Sequence, residues 1–165
     1  MELTRMTTEP NNSKDERLRE IASLGLKSAV QSLSSSSPIG RKVASSLINT
    51  LCERGNNVPV ITDALDVLAT LIAKQAHNLQ ALSEPAASAA LEYLGHDRQP
   101  VRKRAINSLS MIIETSGPVL QENVLSRVIE LLARDPSIKP DLLKSVLQAI
   151  GALATVRSTQ DRKSV

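Results

Sequence analysis

The sequence predicts an all-α fold of the solenoid kind, in which one two-helix unit is laid down several times over. Three observations carry that expectation. Apolar residues recur at helical spacing along most of the chain, as in Val101, Ala105, Ser108, Leu109 and Ile112, with Lys103, Asn107, Ser110 and Glu114 on the opposite side. Prolines suited to a first helical turn stand at Pro59, Pro100 and Pro140, 41 and 40 residues apart. Aligning Leu18, Val60, Val101 and Leu142 then produces columns: Ala22, Ala64, Ala105 and Val146; Leu26, Leu68, Leu109 and Ile150; Val30, Ile72, Ile113 and Ala154.

A period of some forty residues with two helices per unit is the signature of HEAT or armadillo repeats. The run from Asp97 to Leu109 has the inner-helix pattern of a HEAT repeat: Asp, then Val-Arg, then Ala, then Leu. In that pattern Asp97 and Arg102 are the structural inter-repeat residues, expected to form an ion pair at the edge of the apolar stripe.

Taken in order, residues 1–13 read as a disordered N-terminus and residues 14–157 as the repeat domain. The first helix is expected over Asp15–Leu33, with Ile21, Ala22, Leu26, Ala29 and Val30 inward and two acids in its first turn, where the helix dipole favours them. Ser34 to Ser37 with Pro38 reads as a solvated loop, since Ser competes for backbone hydrogen bonds and Pro keeps the preceding residue out of the helix. The second helix spans Ile39–Arg54, with Val43, Leu47, Ile48 and Leu51 in phase, and Gly55-Asn56-Asn57 ends it. The third spans Val58–Lys74. The fourth spans Leu79–Leu94, interrupted or kinked at Pro85, with Ser83 as a candidate cap for the part beginning there. The fifth spans Val101–Thr115 and stops at Ser116-Gly117. Pro118 opens the sixth, which runs to about Arg134, and Asp135-Pro136 breaks it. Pro140 opens the seventh, which fades near Arg157, leaving 158–165 as a flexible tail. The count is seven helices, about three and a half repeats.

Composition narrows the function. The 165 residues are 41% apolar and 22% charged, the balance of a folded domain. One Tyr, no Phe and no Trp leave a core of Leu, Ile, Val and Ala, which suits thin stacked helix pairs and argues against a deep aromatic-walled ligand pocket. The net charge is +3, with basic and acidic residues interleaved. A nucleic-acid binder would concentrate its cations, and a single-strand binder would need stacking aromatics, so no nucleic-acid partner is expected. No apolar run approaches a membrane span, and the polar N-terminus lacks the apolar stretch of a secretory signal. The single cysteine, Cys52, cannot form an internal disulfide and reads as a small buried hydrophobe beside Leu51. His77 and His96 have no ligating residue at metal spacing, no glycine-rich phosphate loop is present, and no base stands near Cys52 to make it a nucleophile. The expectation is a non-enzyme without cofactor, in the cytoplasm or nucleus.

What remains is surface. In such solenoids the second helix of each pair lines an extended binding face. Outward positions repeat there as Glu20, Thr62, Lys103 and Lys144; as Leu24, Asp66, Asn107 and Gln148; and as Lys27, Ala69, Ser110 and Gly151. Within these rows, and with Arg104 added, the expected partner-binding residues are Glu20, Lys27, Thr62, Asp66, Lys103, Arg104, Asn107, Lys144 and Gln148. Arg102 is assigned to the ion pair, which leaves Lys103 and Arg104 free for a partner. Apolar positions on the first and last helices, such as Leu18, Ile21, Leu24, Leu143 and Leu147, are expected to face a neighbour from a longer array or a second protein.

The segments Leu18–Lys27, Ala64–Ala69 and Val101–Ile106 resemble, in the same order and at similar separations, the N-terminal region of the cullin-associated NEDD8-dissociated protein family. The resemblance covers roughly residues 14–157. It implies a HEAT superhelix that wraps an unmodified cullin–RING scaffold, here through the part that grips the cullin's C-terminal domain and RING subunit. In that family the whole superhelix promotes substrate-receptor exchange during assembly of the SCF ligases of the ubiquitin conjugation pathway. The first repeat and the C-terminal half that competes with the receptor adaptor have no counterpart in this sequence. The other readings are a general HEAT adaptor, as in nuclear transport or phosphatase scaffolding, and a nucleic-acid-binding solenoid.

Overall fold

The computed structural model describes residues 10–53, 55–134 and 140–163, and all of their regular structure is helical. Seven helices follow one another: α1 (Pro10–Ser32), α2 (Ile39–Cys52), α3 (Val58–Lys74), α4 (Ala76–Leu91), α5 (Gln99–Ser116), α6 (Pro118–Arg134) and α7 (Pro140–Lys163), with a short 3₁₀ turn at Glu92–Gly95 after α4. The chain divides into two compact units, residues 1–33 and 34–165. No helix among the described residues is long and apolar enough to cross a membrane.

The first unit contains α1, which starts at Pro10, five residues before the expected Asp15. Of the residues expected to point inward, only Val30 is buried; Ile21, Ala22, Leu26 and Ala29 are exposed, together with Leu18 and Leu24.

In the second unit the local signals act as the sequence suggests. Asn57 caps α3, its side chain accepting from the Val60 N–H at 3.1 Å, and Pro59 sits in the first turn without loss of a helical hydrogen bond. Pro100 does the same for α5. Gly117 ends α5 at φ 92° and ψ 177°, a backbone region open essentially to glycine alone. Helix α2 stops at Cys52, where the Asn56 amide donates to the Thr50 carbonyl at 2.5 Å and satisfies an end-of-helix acceptor.

Helix α4 departs from expectation. It starts at Ala76 and continues unbroken through Pro85 to Leu91, and Ser83 is a buried residue inside it, not a cap. Proline removes the hydrogen bond to the carbonyl four residues back, which here is that of Ala81. Ala81 and Pro85 are both exposed, so water can reach that carbonyl and the helix need not break. Helix α7 likewise runs on to Lys163, through residues expected to fray.

Each helix of the second unit packs on its chain neighbour and on the helix two places along. Helix α2 meets α3 and α4, α3 meets α5, α4 meets α5 and α6, and α5 meets α6 and α7. The predicted columns form the seams in α3 and α5, while in α7 Val146 is buried, Ile150 is half-buried and Ala154 is exposed. Ala64, Ala105 and Val146 are buried, as are Leu68 and Leu109, and Ile72 and Ile113. With Leu65, Leu71, Leu79, Leu94 and Ile112 they make an aliphatic core, each large side chain contributing about 1.5–3 kcal/mol relative to exposure. Small residues, Ala64 and Ala105 above all, allow the α3, α5 and α7 backbones to approach.

Cys52 is exposed, against expectation. Leu47 and Leu51, one turn apart, take the buried face of α2, and the next residue is rotated about 100° away from it.

Polar contacts repeat the spacing of the sequence columns. Gln75 Nε2 donates to the Ser34 carbonyl, Asn78 to that of Ser35, Tyr93 to that of Leu51 and Ser108 to that of Leu65, across 41, 43, 42 and 43 residues. Arg41 donates to the Asn78 carbonyl, Arg104 to Asp66 and Arg127 to Ser88, across 37, 38 and 39 residues. Side chains thus tie α2 to α4, α3 to α5 and α4 to α6.

Candidate protein-binding face

Helices α3, α5 and α7 lie in succession, and the residues one turn in from their N-termini define the candidate face. Thr62 is half-buried and its hydroxyl donates to the Val58 and Pro59 carbonyls of its own helix, both at 3.0 Å, so it presents little to a partner. Asp66 accepts from Arg104 Nη1 at 2.6 Å. Arg104 is therefore not the free cation the sequence suggested: its guanidinium bridges α5 to α3. Lys103 and Asn107 on α5, and Lys144 and Gln148 on α7, are all exposed. Glu20 and Lys27 lie on α1, the former exposed and the latter half-buried. Of the outward rows, Ala69 is fully buried, because small residues on α3 sit where the neighbouring helices come closest.

The ion pair expected between Asp97 and Arg102 takes another form. Arg102 is 8% exposed. Its Nη1 donates to the main-chain carbonyls of His96 at 2.7 Å and Asp97 at 2.9 Å, closing the turn ahead of α5. Its Nη2 lies 3.4 Å from Oδ2 of Asp141 on α7. Asp97 thus contributes its backbone, and the carboxylate comes from the next repeat. A planar guanidinium suits this, since its fork of donors can serve carbonyls on one edge and a carboxylate on another.

Arg102 and Asp141 form part of a polar cleft between α5 and α7, lined also by Gln99, Lys103, Lys144, Ser145 and Gln148 and enclosing about 230 Å³. Three cations and one anion line it, and neither Lys103 nor Lys144 has a polar partner among the described residues. Beside it on α7, Pro140, Leu143 and Leu147 form a shallow apolar groove that shares Lys144 and Gln148. The sequence reasoning found Lys103, Lys144 and Gln148 but missed Gln99, Asp141 and Ser145. The signal for Asp141 was present as an acid one period beyond a buried Arg.

Elsewhere, Tyr93 is half-buried with its hydroxyl on the Leu51 carbonyl at 2.6 Å. Its pKa is raised, first by burial and then by the neighbouring Cys52 and Glu92. His77 is exposed, and His96 Nδ1 accepts from the Arg98 N–H at 3.1 Å. Among the described residues no three His, Cys, Asp or Glu side chains come close enough to hold a metal ion.

These features define, among the described residues, an all-helical chain of helical-repeat character with a charged cleft between α5 and α7. Over 151 residues it is 26% identical to cullin-associated NEDD8-dissociated protein 1 of Drosophila melanogaster, an alignment that takes in 86% of this chain. The relationship is distant and partial, and the chain spans 11% of that protein's length. No family profile and no solved structure matches the chain significantly.

Proposed function

We propose that the chain is a non-catalytic scaffold of HEAT-like solenoid type that binds a cullin–RING assembly through the face formed by α3, α5 and α7. The observation that carries the solenoid reading is the set of side-chain hydrogen bonds spanning 37 to 43 residues, four of them joining an α-helix to the one two places along and three involving the loop or turn beside such a helix. Their spacing is the period of the sequence columns, and a single-centred bundle has no reason to keep it. The cullin partner is supported by the sequence resemblance and by the distant relative, whose name describes it as cullin-associated. By that analogy the contact is with the cullin's C-terminal domain and RING subunit, in the cytoplasm or nucleus, and belongs to the assembly of SCF-type ligases. The exposed polar residues Lys103, Asn107, Lys144 and Gln148 suit a partner held by many modest contacts.

The test is capture of purified cullin–RING complexes on the immobilised chain. Retention of the unmodified complex and release of the neddylated one is the expected result. Equal retention of both, or retention of neither alongside capture of a transport GTPase or a phosphatase subunit, overturns the cullin assignment in favour of a general HEAT adaptor.

A further inference from the structure

The cleft between α5 and α7 has a charge pattern that selects the chemistry of what enters it. Arg102 forms its inner wall and is already engaged there, its Nη1 by two main-chain carbonyls and its Nη2 by Asp141. Lys103 and Lys144 stand at its exposed edge, on successive repeats, with no acid paired to either among the described residues. The lining therefore carries a surplus of two positive charges within one concave space. Gln99, Gln148 and Ser145 add neutral groups able to donate or accept.

We infer that this cleft takes a carboxylate side chain of a partner protein, held between Lys103 and Lys144. The ligand is an acidic peptide segment rather than a nucleic-acid backbone, for two reasons. A nucleic-acid strand presents a continuous row of phosphates, whereas the cleft interrupts its cations with Asp141, whose carboxylate is 72% exposed and would repel the next phosphate along. Stacking on aromatic side chains is also missing: the sole aromatic ring of the Phe, Trp and Tyr kind is Tyr93, half-buried with its hydroxyl on Leu51. In a peptide an isolated carboxylate fits the two lysines, while Asp141 can accept from a backbone N–H beside it. The apolar groove of Pro140, Leu143 and Leu147 adjoins the cleft, so the segment best matched has an acidic residue flanked by an aliphatic one. This inference rests on the reading that the α3–α5–α7 face binds protein.

Fluorescence anisotropy with the whole chain and a labelled twelve-residue Gly/Ser peptide carrying one glutamate beside one leucine tests it. The expected result is binding that weakens at least tenfold in a K103E/K144E variant, changes less than twofold in a matched K14E/K42E variant, and is equal or tighter in D141N. All five positions are exposed, and circular dichroism checks that each variant is folded. Equal weakening by the two double reversals, no binding by the unaltered chain, or tighter binding of a twelve-nucleotide oligothymidylate than of the peptide overturns the inference. Cullin–RING capture separates this from the reading above. Undiminished capture by K103E/K144E sinks the cleft and leaves the scaffold assignment standing. The peptide pattern without any cullin–RING capture keeps the cleft and removes the named partner.

Discussion

The Tyr93 hydroxyl donates to the main-chain carbonyl of Leu51 across 2.6 Å, fastening the turn after α4 to the last turn of α2. The bond satisfies one of the end-of-helix carbonyls that α2 cannot pair internally, and it does so from one repeat away. Tyr93→Phe keeps the ring and removes the donor, so it should cost about 1 kcal/mol, measured by urea unfolding. The same pair sets a pH dependence. Burial raises the Tyr93 pKa above its ordinary value near 10. Between the unfolded and folded values the folded chain keeps a proton that the unfolded chain has lost. Stability is therefore intact below the unfolded pKa and falls as pH rises toward the folded one. With one tyrosine and no tryptophan in the chain, absorbance near 295 nm follows this titration directly. The native midpoint should lie above the denatured one, and the Tyr93→Phe variant should lose the alkaline part of the stability decline.

Arg102 and Asp141 should respond unequally to substitution. Arg102→Met leaves the His96 and Asp97 carbonyls without their buried donor and should cost about 2–4 kcal/mol. Asp141→Asn removes a carboxylate that is 72% exposed and should cost about 1 kcal/mol or less. Equal losses in chemical denaturation would show that the ion pair, and not the turn closure, holds this junction.

Gly40 lies against the side chain of Gln75. A Cβ there would stand 1.9 Å from Gln75 Oε1 and 2.7 Å from Cδ. The Gln75 amide cannot simply swing away, because it is buried and its Nε2 holds the Ser34 carbonyl at 2.5 Å. Gly40→Ala should therefore destabilise by about 1–3 kcal/mol, a Tm decrease of roughly 3–10 °C for a chain of this size. The Oε1 atom itself has no hydrogen-bond partner among the described residues. Adding Gln75→Ala removes the clash, so the double variant should lose less than the sum of the two single losses, as a thermal-melt cycle would reveal.

Leu143 and Leu147 on α7 are 40% and 56% exposed. Replacing both with Lys should leave the stability within about 1 kcal/mol of the parent's, since neither is a core residue. It should also lower binding of an apolar dye, read by its fluorescence. A large loss of stability would place these leucines in a packed seam.

Much of this fold is legible in the sequence because the repeat writes it several times. The limits of α3 and of α6, and the columns Ala64–Ala105–Val146 and Leu68–Leu109, agree between sequence and structure. What escaped was information carried between repeats. Arg102 looked paired with the nearest acid in sequence, Asp97, but its partner sits one unit on, at Asp141. Arg104 looked free because Asp66 is 38 residues away. Comparing charges across columns, not only apolar residues within them, would have found both. Cys52 and Pro85 were misjudged for a different reason. Each was read from its immediate neighbour or its residue type, whereas the outcome turned on helical phase: which side of the cylinder faced water.

The one-period reach of the cross-helix hydrogen bonds bears on how the second unit responds to force. A tether pulled from the α7 end first loads the Arg102–Asp141 pair that joins α7 to α5, and then the bonds from α5 to α3, because these ties among the described residues span about one period. Extension in an optical trap should accordingly proceed in steps of one helix pair, at low and similar forces, with rapid re-zipping on relaxation, since closing each step requires only a short search along the chain.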